Sequence, residues 1–159
     1  MKLLTLGIMF CLSSLTGIYY GHILKEREYV LKELSAFLKY LLIKVSAKSG
    51  TLWDFTYEYK ESPHIKGFLK ELAQRLKWGC PCPFEASIQK LYALNEQDKR
   101  WICSVKMGRL DYEGQIKALE GAICYFEEEI KALSGKEKER HIISYSGILA
   151  GLALVVIFI

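Results

Sequence analysis

Two apolar runs constrain this chain more than any other feature: Leu3 to Tyr20, extending toward Leu24, and Ile142 to Ile159, with no charged residue inside either. Eighteen helical residues rise about 27 Å against a hydrocarbon core of about 30 Å, so each run is just long enough to span a bilayer. The pattern predicts an all-α protein: a transmembrane helix at residues 1–24, a cytosolic helical bundle at residues 25–141 and a second transmembrane helix at residues 142–159.

The competing reading of the first run is a cleavable signal peptide, with Lys2 as its positive start and Leu3 to Leu15 as its apolar stretch. No A-x-A cleavage site follows, and Phe10 is too large for the small residue that precedes a lipoprotein cysteine, here Cys11. An uncleaved anchor fits better. A glycolipid-anchored precursor would use Ser134 and Gly135 as its small-residue site. The spacer from Lys136 to His141 is too short and too charged for one, and the single asparagine, Asn95, lies in no N-x-S/T sequon.

Orientation follows from the basic residues beside the runs. Lys25 and Arg27 follow the first, Lys136, Lys138 and Arg140 precede the second, and the outer ends carry only Lys2 and the α-amino group. Cytoplasmic flanks concentrate lysine and arginine, so the middle of the chain is expected in the cytosol and both termini outside, in a bacterial inner membrane. The net charge of +4 is mild and spread along the chain. It suits contact with anionic membrane lipid and gives no nucleic-acid surface. Five cysteines, one of them within the first run, are an odd count that argues for reduced thiols over a disulfide framework.

The middle of the chain reads as helices. Val30, Leu31, Leu34, Phe37, Leu38, Leu41, Leu42 and Val45 recur at the spacing of one buried helical face. A second stripe follows Pro63, with Ile65, Phe68, Leu69, Leu72 and Leu76 apolar and Lys66, Lys70, Glu71 and Lys77 outward. Shorter helices are expected at residues 52–60, 84–94 and 98–106, anchored by Trp53, Phe55, Phe84, Ile88, Leu91, Trp101 and Val105. Ile116, Leu119, Ile123, Phe126, Ile130 and Leu133 form a heptad-like seam that suits either intramolecular core or a coiled-coil dimer. Gly50 and Gly79 each end a helix; Thr51-x-x-Asp54 and Pro83 with Glu85 open the next ones.

Catalytic signals are sparse. Cys80-Pro81-Cys82 holds two close thiols but lacks CxxC spacing, and His22, His64 and His141 are too scattered to complete a zinc site. There is no phosphate-binding glycine loop, HExxH or nucleophile elbow, so neither cofactor nor metal is expected. Glu127, Glu128 and Glu129 read as a solvated helical face. Gly17-x-x-x-Gly21 and Gly147-x-x-x-Gly151 each place two glycines on one face of a run, a spacing that lets helices approach closely.

Several motifs, in order and over nearly the whole chain, resemble the stage III sporulation protein AB family of endospore-forming bacteria. Thr16-Gly17 followed by Glu26-Arg27 looks like the family's junction between first span and soluble domain. Gly50-Thr51-Leu52 is similar to its G-x-P-L turn, with Thr51 in place of proline. Met107 to Gln115 resembles its L-G-x-x-D-x-x-x-Q stretch, and Ser146 to Leu152 its L-G-x-L-x-G-L. Asp54 and Phe55 replace a Glu-Ala pair, Met107 replaces leucine, and the segment from Cys80 to Pro83 has no counterpart.

The resemblance implies a non-enzymatic scaffold in the channel complex joining mother cell and forespore, on the mother-cell side in the outer forespore membrane. Its soluble domain would be similar to the platform protein of type II secretion and type IV pilus machines. The implied partners are the ATPase, stage III sporulation protein AA, and other membrane subunits of the complex. From the residues, Gly108, Arg109, Asp111, Glu113 and Gln115 form a candidate structural or partner-contact corner, with Gly108 ending one helix and Asp111 capping the next. The rival readings are a membrane-tethered coiled-coil protein unrelated to sporulation, and a small thiol redox enzyme using Cys80 and Cys82.

Overall fold

The computed structural model describes residues 2–47, 50–59, 62–106, 110–135 and 149; within the first helix, side chains are described at residues 15, 16 and from 19 onward. Among these, every regular element is helical: α1 (Lys2–Ser46), α2 (Leu52–Glu58), α3 (Lys66–Lys77), α4 (Pro83–Ser87) continued by a 3-10 turn (Ile88–Lys90), α5 (Glu96–Ser104) and α6 (Tyr112–Gly135). The chain divides into two compact units. One is Arg27–Lys131; the other draws on both ends, Met1–Glu26 and Ala132–Ile159. Among the described residues no helix is long and apolar enough to cross a membrane. The span expected at residues 142–159 lies outside them except for residue 149.

Within Arg27–Lys131, α1 supplies the central face. Val30, Leu31, Leu34, Phe37, Leu38 and Leu41 are buried, while Leu42 and Val45 are half-buried as the helix reaches its end. Fully burying one such side chain stabilises the fold by about 1.5–3 kcal/mol. Phe37 meets Phe68 of α3 edge-on at 6.5 Å, and Phe68 continues to Phe84 of α4 at 6.3 Å. α6 lies antiparallel to α1, since its contacts run in reverse chain order: Glu129 with Arg27, Glu127 with Lys39, and Tyr112 Oη donating to the Ser46 carbonyl. Leu119, Ile123 and Phe126 of the seam are buried within this single chain, as is Ala122 beside them in sequence.

The turns form by the expected chemistry. Gly50 has φ +94° and Gly79 φ +66°, the left-handed region that favours glycine. Thr51 and Asp54 form a reciprocal capping box at the start of α2, and Pro83 occupies the first turn of α4. Three expectations need correction. The helix expected at 84–94 stops early: Ser87 Oγ donates back to the Pro83 carbonyl, and the Leu91 and Leu94 amides then bond three residues back, burying both leucines in tight turns. The helix expected at 98 begins at Glu96 because Asn95 and Asp98 form a second capping box. Trp53 and Trp101, expected as anchors, are 38% and 37% exposed.

Candidate functional site

The most developed polar centre joins three helices. Asp98, at 0% exposure, sits in the first turn of α5, where the capping box holds its backbone and aims its carboxylate inward. Oδ2 accepts from Arg27 Nε at 2.8 Å and from the Asn95 amide at 3.1 Å; Oδ1 accepts from Arg27 Nη2 at 2.9 Å and from Tyr125 Oη at 2.9 Å. Arg27 Nη2 also donates to Glu129 at 2.6 Å. The bond to Asp98 chiefly raises the Arg27 guanidinium well above its usual value, against the opposing cost of burial. Burial, then the bond to Asp98, pushes the Tyr125 phenol well above its ordinary range.

The geometry limits the chemistry. A carboxylate offers about four acceptor positions, and Asp98 has all four filled. It locks α1, α5 and α6 in register, and no position remains for a substrate proton. The centre also corrects two readings. Glu129 is engaged with Arg27 rather than standing on a solvated face, whereas Glu127, paired with Lys39 at 2.6 Å, and Glu128 remain on the solvated side as expected. Arg27 is spent on two carboxylates rather than displayed as a basic flank.

The corner before α6 is closed by bonds from Gln115 to backbone carbonyls. The Gln115 amide donates to the Asp111 carbonyl at 2.9 Å and Gln115 Nε2 to the Leu110 carbonyl at 2.7 Å. Asp111 Oδ1 approaches so closely that a Cβ on Gly114 would lie 2.5 Å from it. Glu113 is exposed in the first turn of α6. Gly108 and Arg109 lie outside the described residues, as do Gly147 and Gly151. Gly17 and Gly21 both fall within α1, and Gly21 is half-exposed.

Cys80, Cys82, Cys103 and Cys124 are free thiols. Folding brings Cys103 and Cys82 to one small cavity of about 20 Å³ also lined by Glu85 and Val105. Burial, followed by the charge of Glu85, raises the Cys103 thiol pKa, which opposes thiolate formation. Among the described residues no group of three or more His, Cys, Asp or Glu side chains is placed to hold a metal ion.

A wider groove of about 640 Å³ runs between α2 and α3, with Trp53 and Tyr57 on one wall and Lys66, Lys70 and Lys77 on the other. Sequence periodicity placed the lysines outward but gave no sign that they would face two aromatic rings.

Among the described residues the fold is all-helical, and its polar centre joins α1, α5 and α6 with every acceptor position of Asp98 filled by internal bonds. Comparison with known families is specific: the model for stage III sporulation protein AB matches residues 2–159. The chain belongs to that family and is a sporulation-related protein. No curated protein and no solved structure matches it.

Proposed function

We propose that this protein is a non-enzymatic membrane scaffold of the channel complex between mother cell and forespore, docking the cytosolic ATPase stage III sporulation protein AA beside the complex's other membrane subunits. The observation that carries the reading is α1. A single helix, Lys2–Ser46, begins with the apolar run and ends with the face that organises the helical core. An element of that kind ties an anchor to a folded domain without a linker. Family membership supplies the sporulation context.

In this reading the two apolar runs span the outer forespore membrane from the mother-cell side, with residues 25–141 in the cytosol and both termini outside. With Arg27 engaged internally, contact with anionic lipid headgroups falls mainly to the basic flank of the second run, Lys136, Lys138 and Arg140. The test is co-purification of the full chain in detergent with the ATPase from the same genome, with the nucleotide state of the ATPase varied. Specific co-elution is the expected outcome. A folded chain that fails to retain the ATPase in every nucleotide state overturns docking and leaves the unrelated tether as the better account.

A further inference from the structure

We infer that the groove between α2 and α3 is a docking site for an acidic polypeptide segment carrying an aromatic or aliphatic anchor residue. The inference deepens the docking reading by naming its surface, and rests on that reading only for the identity of the partner.

Three observations converge on one occupant. The first is charge: the described residues lining the groove include Lys66, Lys70 and Lys77 and no carboxylate. The i, i+4 spacing of Lys66 and Lys70, with Lys77 two turns beyond, sets the cations along one side of α3. An extended or helical segment bearing carboxylates at matching intervals complements that row.

The second is the opposite wall. Trp53 and Tyr57, four residues apart on α2, stack at 5.5 Å with an interplanar angle of 14°. They remain 38% and 66% exposed. Aromatic side chains of this kind provide large contact area at low entropic cost, and they dominate interface energetics when an apolar anchor covers them.

The third is an unsatisfied group. Ser62 lines the same groove at 4% exposure, and its hydroxyl has no hydrogen-bond partner among the described residues. A buried hydroxyl left unpaired is unfavourable. A peptide carbonyl, amide or carboxylate entering the groove would satisfy it, whereas an acyl chain would not.

The wall formed by α2 is held in place by the domain's own contacts. α2 is fastened to the last turns of α1, with Tyr40 Oη and Lys44 Nζ both bonding Glu58.

The test uses the full chain in detergent micelles and two labelled amphipathic peptides, one alternating glutamate with leucine and phenylalanine, the other with lysine replacing each glutamate. Fluorescence anisotropy should show the acidic peptide binding at least about tenfold more tightly than the basic one, a preference worth about 1.4 kcal/mol. Combined Lys66→Glu, Lys70→Glu and Lys77→Glu should remove that preference while leaving the circular dichroism melt unchanged. Ser62→Ala should weaken binding by about threefold or more while leaving the free protein as stable or more so, a combination a merely structural serine would not give. Undiminished binding by the folded triple variant overturns the proposal, as does displacement of the acidic peptide by soluble phosphatidylglycerol. Repeating the assay with the ATPase separates the two readings. Equal ATPase binding by wild type and triple variant keeps docking but rejects this surface; acidic-peptide binding without ATPase binding keeps the surface and rejects that partner.

Discussion

Arg27 and Asp98, 71 residues apart in the chain, meet in a two-pronged ion pair, Nε to Oδ2 at 2.8 Å and Nη2 to Oδ1 at 2.9 Å. The pair joins α1 to α5, and Tyr125 and Glu129 extend it to α6. Its weight in the fold comes from Asp98, which has no exposure and so depends on its partners for all of its solvation.

Arg27→Met is therefore expected to destabilise the protein by about 3–5 kcal/mol, because it leaves the Asp98 charge buried without its cation. Asp98→Leu on that background should recover part of the loss, since removing both charges costs less than stranding one. Glu129→Gln should cost under about 1 kcal/mol, its side chain being 32% exposed. Urea denaturation followed by circular dichroism ranks the variants; a single Arg27→Met no worse than Glu129→Gln would sink the idea that Asp98 depends on Arg27.

Stability should decline on both sides of neutrality. Glu58 is held below its usual value by the Tyr40 hydroxyl and then by Lys44, Asp54 by the Thr51 hydroxyl and amide, and Glu127 by Lys39. A depressed carboxylate contributes fully above its unfolded value and loses that contribution as pH falls below it, here 4.5 for glutamate and 3.8 for aspartate. The raised Tyr125 phenol acts in the other direction. It contributes fully below the ordinary phenol value of 10.0 and loses its contribution as pH rises beyond it. Melting temperatures across pH should show a shallower acid limb in Glu58→Gln and a shallower alkaline limb in Tyr125→Phe; limbs identical to wild type would contradict the assignment.

The glycines offer a graded test. Gly50 has φ +94°, and a Cβ there would lie 3.1 Å from Phe55 Cε1, whereas Gly79 has φ +66° and open space around it. Both alanine variants should lose about 1–2 kcal/mol from the left-handed backbone. Gly50→Ala should lose more, because the buried Phe55 ring must also give way. Gly67, exposed in the first turn of α3 with nothing near its Cβ position, should instead gain a few tenths of a kcal/mol as alanine, less than the roughly 1 kcal/mol of a helix interior. Equal losses at Gly50 and Gly79 would mean that Phe55 adjusts freely.

These cases also show which features were legible in the sequence. Gly50, Gly79, the Thr51–Asp54 box and Pro83 act on neighbours within a few residues, so their spacing reveals them, and the α1 and α3 stripes follow from helical periodicity. The Asn95–Asp98 box carries the same kind of local signal and could have been found. That Asp98 also receives Arg27 and Tyr125 could not, because nothing near residue 98 refers to residues 71 positions before it or 27 after it. Glu129, within a run of three glutamates, looks like any solvated charge until α1 is packed against it. The α2–α3 groove is hidden for the same reason: outward lysines and anchoring aromatics are ordinary separately, and only the fold turns them toward each other.

The seam on α6 distinguishes two assemblies. Leu119 and Phe126 are fully buried and Ile123 is 8% exposed within one chain, so these positions already have their partners and a coiled-coil dimer would have to uncover them. Leu119→Ala should lower stability by about 2–5 kcal/mol and Phe126→Ala by about 3–5 kcal/mol, the range for cavities in a packed core. Because the lost contacts are intramolecular, the midpoint of each variant and of the wild type should not change with protein concentration at a fixed detergent-to-protein ratio. A dimer held through the seam would behave otherwise, its midpoint rising with concentration by mass action and that dependence weakening in both variants. Denaturation midpoints measured over a wide concentration range would therefore decide whether this stripe is the core of one chain or the interface of two.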